Sequence, residues 1–112
     1  MLINHLVNDL KIAEVSSECT INSEDIMDLM AEASYNGCNK MILHAASMPP
    51  EFFDLKTRIA GEILQKFSNY RMKLAIVGDF SAVKSKSLND FIRESNKWKI
   101  ITFVDSIENA LT

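Results

Sequence analysis

"MKLAIVGDF", residues 72–80, is apolar at every position from Leu74 to Val77 and ends on Gly78-Asp79. A strand with one face in water alternates apolar and polar residues, whereas a strand apolar at both parities is covered on both faces, as in the middle of a parallel sheet. This stretch therefore predicts an α/β protein, with helices on either side of it in sequence supplying the cover. On its amino-terminal side, "PPEFFDLKTRIAGEILQKF" (49–67) places Phe52, Leu55, Ile59, Ile63 and Phe67 about one turn apart, predicting a helix over 51–69, the longest of the chain. Gly61 lies beside that stripe, where a missing side chain would allow close approach to a sheet.

The pattern continues in both directions. "KMILHAA" (40–46) reads as a second short buried strand and "NSEDIMDLMAEASYNG" (22–37) as a helix. Asn22 or Ser23 would cap that helix, with Gly37 at its end. "LINHLV" (2–7) and "KIAEVSS" (11–17) flank Asn8-Asp9 and predict a hairpin with one solvated face. Beyond the central strand, "SKSLNDFIRESN" (85–96) reads as a helix, "WKIITFVD" (98–105) as the last strand and "SIENALT" (106–112) as a closing helical turn capped by Ser106. The order is ββαβαβαβα: a mixed sheet of four or five strands with about four helices, in which 40–46, 72–78 and 99–104 are mutually parallel. Phe52, Leu55, Ile59, Ile63, Phe67, Leu74, Ile76, Phe91 and Ile101 are the expected core.

Composition narrows the job. The 112 residues, 47% hydrophobic and 24% charged, suit one globular domain spanning 1–112. Net charge is −3 with the basic residues scattered, so no nucleic-acid footprint is expected. No apolar run reaches the roughly 20 residues of a membrane span. The opening "MLINHLVNDLK" lacks the features of a signal peptide. Cys19 and Cys38 form no CxxC, and His5 and His44 lie far apart, so neither a disulfide framework nor a metal-ligand spacing is present. A cytoplasmic location without metal or cofactor is the expectation.

The run "EFFDLKTRIAGEILQKFSNYRMKLAIVGDFS…SKSLNDFIRESN" resembles an uncharacterised bacterial family, domain of unknown function 4180. More distantly, "MKLAIVGDFSAVKSKSLNDFIRESNKWKIITFVDSIENAL" is similar to STAS domains such as anti-sigma-factor antagonists, which end in a strand, a serine-containing loop, a helix, a short K-I-I strand and an acidic S-x-x-x-A-L helix. That resemblance implies a STAS-like fold and a regulatory domain without chemistry. STAS antagonists are switched by phosphorylating a serine within a pattern like F-M-D-S-S-G-L. The corresponding "F-F-D-L-K-T" matches at Phe52 and Asp54 but has Leu55 in the serine's place, with Thr57 the nearest hydroxyl.

Candidate contact residues follow, each with a plainer reading beside it. Phe53, Asp54, Lys56 and Thr57 would form a partner surface at the helix start, although Asp54 is also spaced for a helical pair with Arg58. Phe53, off the inward stripe, is either a surface anchor or a plug over a strand end. Asp79 and Ser81 lie at a strand's carboxyl end, where open α/β sheets bind ligands, yet Asp79 also suits an Asx turn. Lys84, Ser85, Lys86 and Ser87 offer an anion cradle, or simply a helix cap at Ser85 or Ser87. His44 reads as a core histidine, or with Asp79 as an acid–base pair. The leading function is a regulatory or protein-interaction domain, with a protein partner or a second copy. A module for a small molecule or lipid is the alternative, and an enzyme comes third.

Overall fold

The computed structural model describes residues 2–16 and 21–111. Leu2–Val7 (β1) and Leu10–Val15 (β2) form the antiparallel hairpin, in register from Leu2↔Val15 to Val7↔Leu10. The two turn residues, Asn8 and Asp9, have φ of 52° and 66°. Positive φ at both central positions defines the tight turn whose twist matches that of paired strands, and Asn and Asp tolerate it best after glycine.

Ser23–Tyr35 (α1), Lys40–His44 (β3), Ile59–Asn69 (α2), Lys73–Val77 (β4), Lys86–Trp98 (α3), Ile101–Val104 (β5) and Ile107–Ala110 (α4) follow. The sheet order is β1-β2-β3-β4-β5, with β2 to β5 parallel. Parallel strands added in sequence order by right-handed crossovers put successive helices on one face. That face carries Ala13, Val15, Met41, Leu43, Leu74, Ile76, Ile101 and Phe103, clustered with Ile26, Met30, Ile63 and Phe67 from the helices. The other face is narrower: Ile12, Ile42 and Ala75 cluster with Ala110 and Ile107 of α4.

Local chemistry accounts for the helix ends. Asn22 and Asp25 form a reciprocal capping box at the start of α1. At its end, Gly37 (φ 87°) completes a Schellman motif, with Cys38 N–H donating to Ala33 O and Gly37 N–H to Ser34 O. Ser85 caps α3 and Ser106 caps α4. α3 runs on to Trp98, past the expected end at Asn96, whose side chain turns back to accept from the Phe103 N–H of edge strand β5 at 2.8 Å.

Three expectations are corrected. The helix expected over 51–69 begins only at Ile59, so α1 and α3, at 13 residues each, are the longest. Before it come two 3-10 turns, Pro50–Phe53 and Leu55–Thr57, separated by extended Asp54. Asp54 and Thr57 side chains compete for the backbone there, and Arg58, at φ 64°, interrupts any continuous helix. Leu55 and Ile59 are in consequence half-buried, as is Phe91, while the other six expected core residues are buried. Gly61 approaches nothing: a Cβ there would have no neighbour within 4 Å. The hairpin's second strand has no solvated face over its last four residues, because Ile12, Ala13, Glu14 and Val15 are all buried.

Gly61 is thus an exposed glycine within a helix, disfavoured against alanine by roughly 0.5–1 kcal/mol. Gly61→Ala is expected to raise stability by about that amount. A chemical-denaturation midpoint measured on both proteins checks it.

Candidate functional site

The parity of the strands puts Ile12 and Glu14 of β2, Ile42 and His44 of β3, and His5 of β1 on the α4 side of the sheet. Glu14 faces Ile3 across the hairpin and Ile42 across the parallel pair, so His5 and His44 each lie one diagonal step away. Both rings close on the carboxylate: His5 Nε2 is 2.8 Å from Glu14 Oε1, and His44 Nε2 is 2.7 Å from Glu14 Oε2. Glu14 is 9% exposed, one of few buried charged or polar residues in the described chain.

Burial pushes the Glu14 carboxyl upward, but the hydrogen bonds from His44 and His5, with their charge, outweigh it and hold it below the ordinary 4.5. An ionised carboxylate only accepts, so each Nε2 carries the proton it donates. The donor atoms touch directly and enclose no space; a tetrahedral ion with ligands at about 2.0–2.2 Å would hold them further apart. Among the described residues no cluster able to hold a metal ion is found. With both carboxylate oxygens occupied, the arrangement ties three strands together through side chains.

This constellation was not anticipated from the sequence, which paired His44 with Asp79. Asp79 instead accepts from the Ser81 hydroxyl at 2.6 Å and its N–H at 3.0 Å, the Asx-turn alternative. Those bonds, side chain first, lower its pKa from the ordinary 3.8. Gly78 before it has no room for a side chain: a Cβ would sit 2.7 Å from the Ala45 Cβ.

The residues of the opening turns are equally self-occupied. Asp54 accepts from Lys56 N–H at 3.1 Å and does not form the expected helical pair with Arg58. The Thr57 hydroxyl lies 2.7 Å from Glu51 O and 2.8 Å from Asp54 O. Ser85 is the cap of α3 and Lys86 reaches Asp90 at 3.5 Å on an exposed surface, while Lys84 and Ser87 are exposed beside them. Phe53 and Phe80 are half-buried with ring centroids 6.4 Å apart, so the aromatic pair does bring the turn at 50–53 against the loop carrying Asp79 and Ser81. Phe52 and Phe103 close the cluster behind them. Cys38 is a free, buried thiol, and Cys19 lies outside the described residues.

The family described as Domain of unknown function (DUF4180) matches residues 7–112. The chain belongs to that family. No curated protein matches it. The family's matched span includes Glu14 and His44, and its first residue falls two places after His5. No described helix is long and apolar enough to cross a membrane.

A carboxyl whose folded pKa is depressed contributes stability above its unfolded value and loses it as pH falls through the folded one. The Glu14 contribution is therefore present above 4.5 and lost progressively below it. Glu14→Gln is expected to remove that part of the slope, since a Gln amide can still accept from one Nε2–H and donate to the other ring in its alternate tautomer. Urea midpoints taken between neutral pH and pH of about 3 should fall further for the wild type than for the variant.

Proposed function

We propose that this chain is a non-catalytic interaction domain of the regulatory kind that STAS domains represent, working in the cytoplasm, and that it pairs with a second copy of itself along β1. The observation that carries this reading is the state of the two sheet edges. At β5, Asn96 accepts from the outward Phe103 N–H and α3 lies alongside. At β1, no further described strand pairs with the outer edge, and the strand contains no proline, lysine or carboxylate. Those are the devices by which edge strands avoid pairing.

The exposed large aliphatic residues lie there, while the exposed aromatic ones, Tyr35, Tyr70 and Trp98, lie at helix ends. Ile3 is 46% exposed, Leu6 70% and Leu10 51%, with Ile3 and Leu10 on the α4 side of the sheet and Leu6 on the other. His5 is the strand's sole ionisable side chain and is already engaged by Glu14, so two copies of β1 meet without like-charge repulsion. Antiparallel pairing of identical strands is self-complementary, which suits a two-fold dimer. The Phe53–Phe80 surface contributes aromatic area at the far end of the sheet, while the polar groups around it are held by internal bonds.

Sedimentation equilibrium should show a concentration-dependent monomer–dimer exchange for the wild type. Ile3→Lys and Leu6→Lys, each on an exposed position, should give monomers whose dilute-solution melting is unchanged. A wild type that stays monomeric throughout, or variants that dimerise equally well, would overturn the reading.

A further inference from the structure

A second feature lies on the α4 side, at the amino-terminal ends of the parallel strands and beside the turn end of the hairpin. Lys40 and Lys73 are register partners on β3 and β4, so their side chains leave the sheet side by side. Like charges directly opposite one another destabilise a sheet. Neither lysine forms an ion pair with a carboxylate among the described residues. Lys40 is half-buried, and burial together with the Lys73 charge lowers its pKa from the ordinary 10.5. The chain as a whole carries a net charge of −3, yet no acidic residue among the described ones pairs with either lysine. An uncompensated cationic pair of this kind is complementary to an anion.

The surroundings say which anion. The two lysines and Arg71 line an open cleft of about 470 Å³. Its apolar wall is made by Val7, Leu10 and Ile12 of the hairpin and Leu111 beyond α4. A cleft of that size, mostly apolar with a few convergent polar groups, fits a small ligand. Helices α1 and α2 end just before β3 and β4, so their carbonyl ends, not their N–H ends, lie at this end of the sheet. Carbonyl ends oppose a multiply charged anion such as a phosphate, and no glycine-rich turn presents N–H groups to one.

We infer that this cleft binds a small amphiphilic monocarboxylate, its head between Lys40 and Lys73 and its apolar body along Val7, Ile12 and Leu111. The bound head relieves the repulsion between the lysines, and the body covers half-buried Val7 and Leu111, which are otherwise partly wetted. The site differs from the strand ends where ligands of open α/β sheets usually lie, because here the hairpin and Leu111, just past α4, wall a hollow at the opposite end.

The test is an amide chemical-shift titration of the full chain with octanoate, 1-octanol and inorganic phosphate as separate probes. Octanoate is expected to give saturable shifts at Val7, Ile12, Lys40, Lys73 and Leu111. 1-Octanol should bind about tenfold more weakly, and phosphate should neither bind comparably nor displace octanoate. The double variant Lys40→Met/Lys73→Met should melt no lower than the wild type, since a repulsion is removed, and should lose the preference for octanoate over octanol. The wild-type comparison of the two eight-carbon probes decides the matter even if that variant folds poorly. Equal binding of octanoate and octanol, phosphate binding as tight as octanoate, or no saturable octanoate shift at these residues would each overturn the proposal.

Discussion

A carboxylate in the interior must be compensated, and the Glu14 carboxylate is compensated from both sides. Burying an ionised group without partners costs several kcal/mol, and two charge-assisted hydrogen bonds from imidazole N–H groups offset that cost. The consequence for the architecture is geometric. His5 belongs to β1, Glu14 to β2 and His44 to β3, so the same bonds that satisfy the carboxylate hold the antiparallel hairpin against the parallel sheet. A slip of one residue in either pairing would put Glu14 and the ring across that pairing on opposite faces of the sheet and break their bond. The register of three strands thus depends on one side chain.

The rest of the molecule is arranged around that constraint. Three helices cover one face of the sheet and make its large core, while the short α4 covers only the middle of the other. The uncovered remainder of that second face holds the polar chemistry: the His5–Glu14–His44 bridge near the carboxyl ends of the parallel strands, and the Lys40–Lys73 pair at their amino ends. By contrast, the strand-end loops that α/β proteins often use for ligands are here spent on their own geometry. Gly78 is needed because Ala45 and Phe80 crowd it, Asp79 and Ser81 bind each other, and five of the six phenylalanines form a plug of edge-on and tilted rings at that end.

Much of the fold was legible because its signals are local. Asn8-Asp9 between alternating strands, Asn22 before an acidic turn, Gly37 after a helix and the continuous apolar run at Leu74–Val77 each report a backbone requirement within a few residues. The stretch from Glu51 to Arg58 departs from the expected helix for the converse reason. Its apolar spacing suits a helix, but Asp54 and Thr57 satisfy the backbone with their side chains and periodicity does not register that competition. The site was half legible. A two-residue turn at Asn8-Asp9 already makes His5 and Glu14 diagonal neighbours on one face, so that contact was available from the hairpin alone. His44 was not, since the pairing of β2 with β3 depends on a crossover through α1 that no short-range pattern encodes.

The central claim is that β1 is tied to the sheet on its inner side and open to a second copy on its outer side. Since Val7 and Leu10 flank a two-residue turn, the inward hydrogen-bonding residues of β1 alternate as Val7, His5 and Ile3, which leaves the amides of Asn4 and Leu6 pointing outward. Residue-resolved amide hydrogen exchange across a range of protein concentrations reads the two edges separately. The account predicts that Ile3, His5 and Val7 are protected at every concentration, while Asn4 and Leu6 exchange freely in dilute solution and become protected as concentration rises. Protection of Asn4 and Leu6 that does not change with concentration, or free exchange of all five amides, would contradict it.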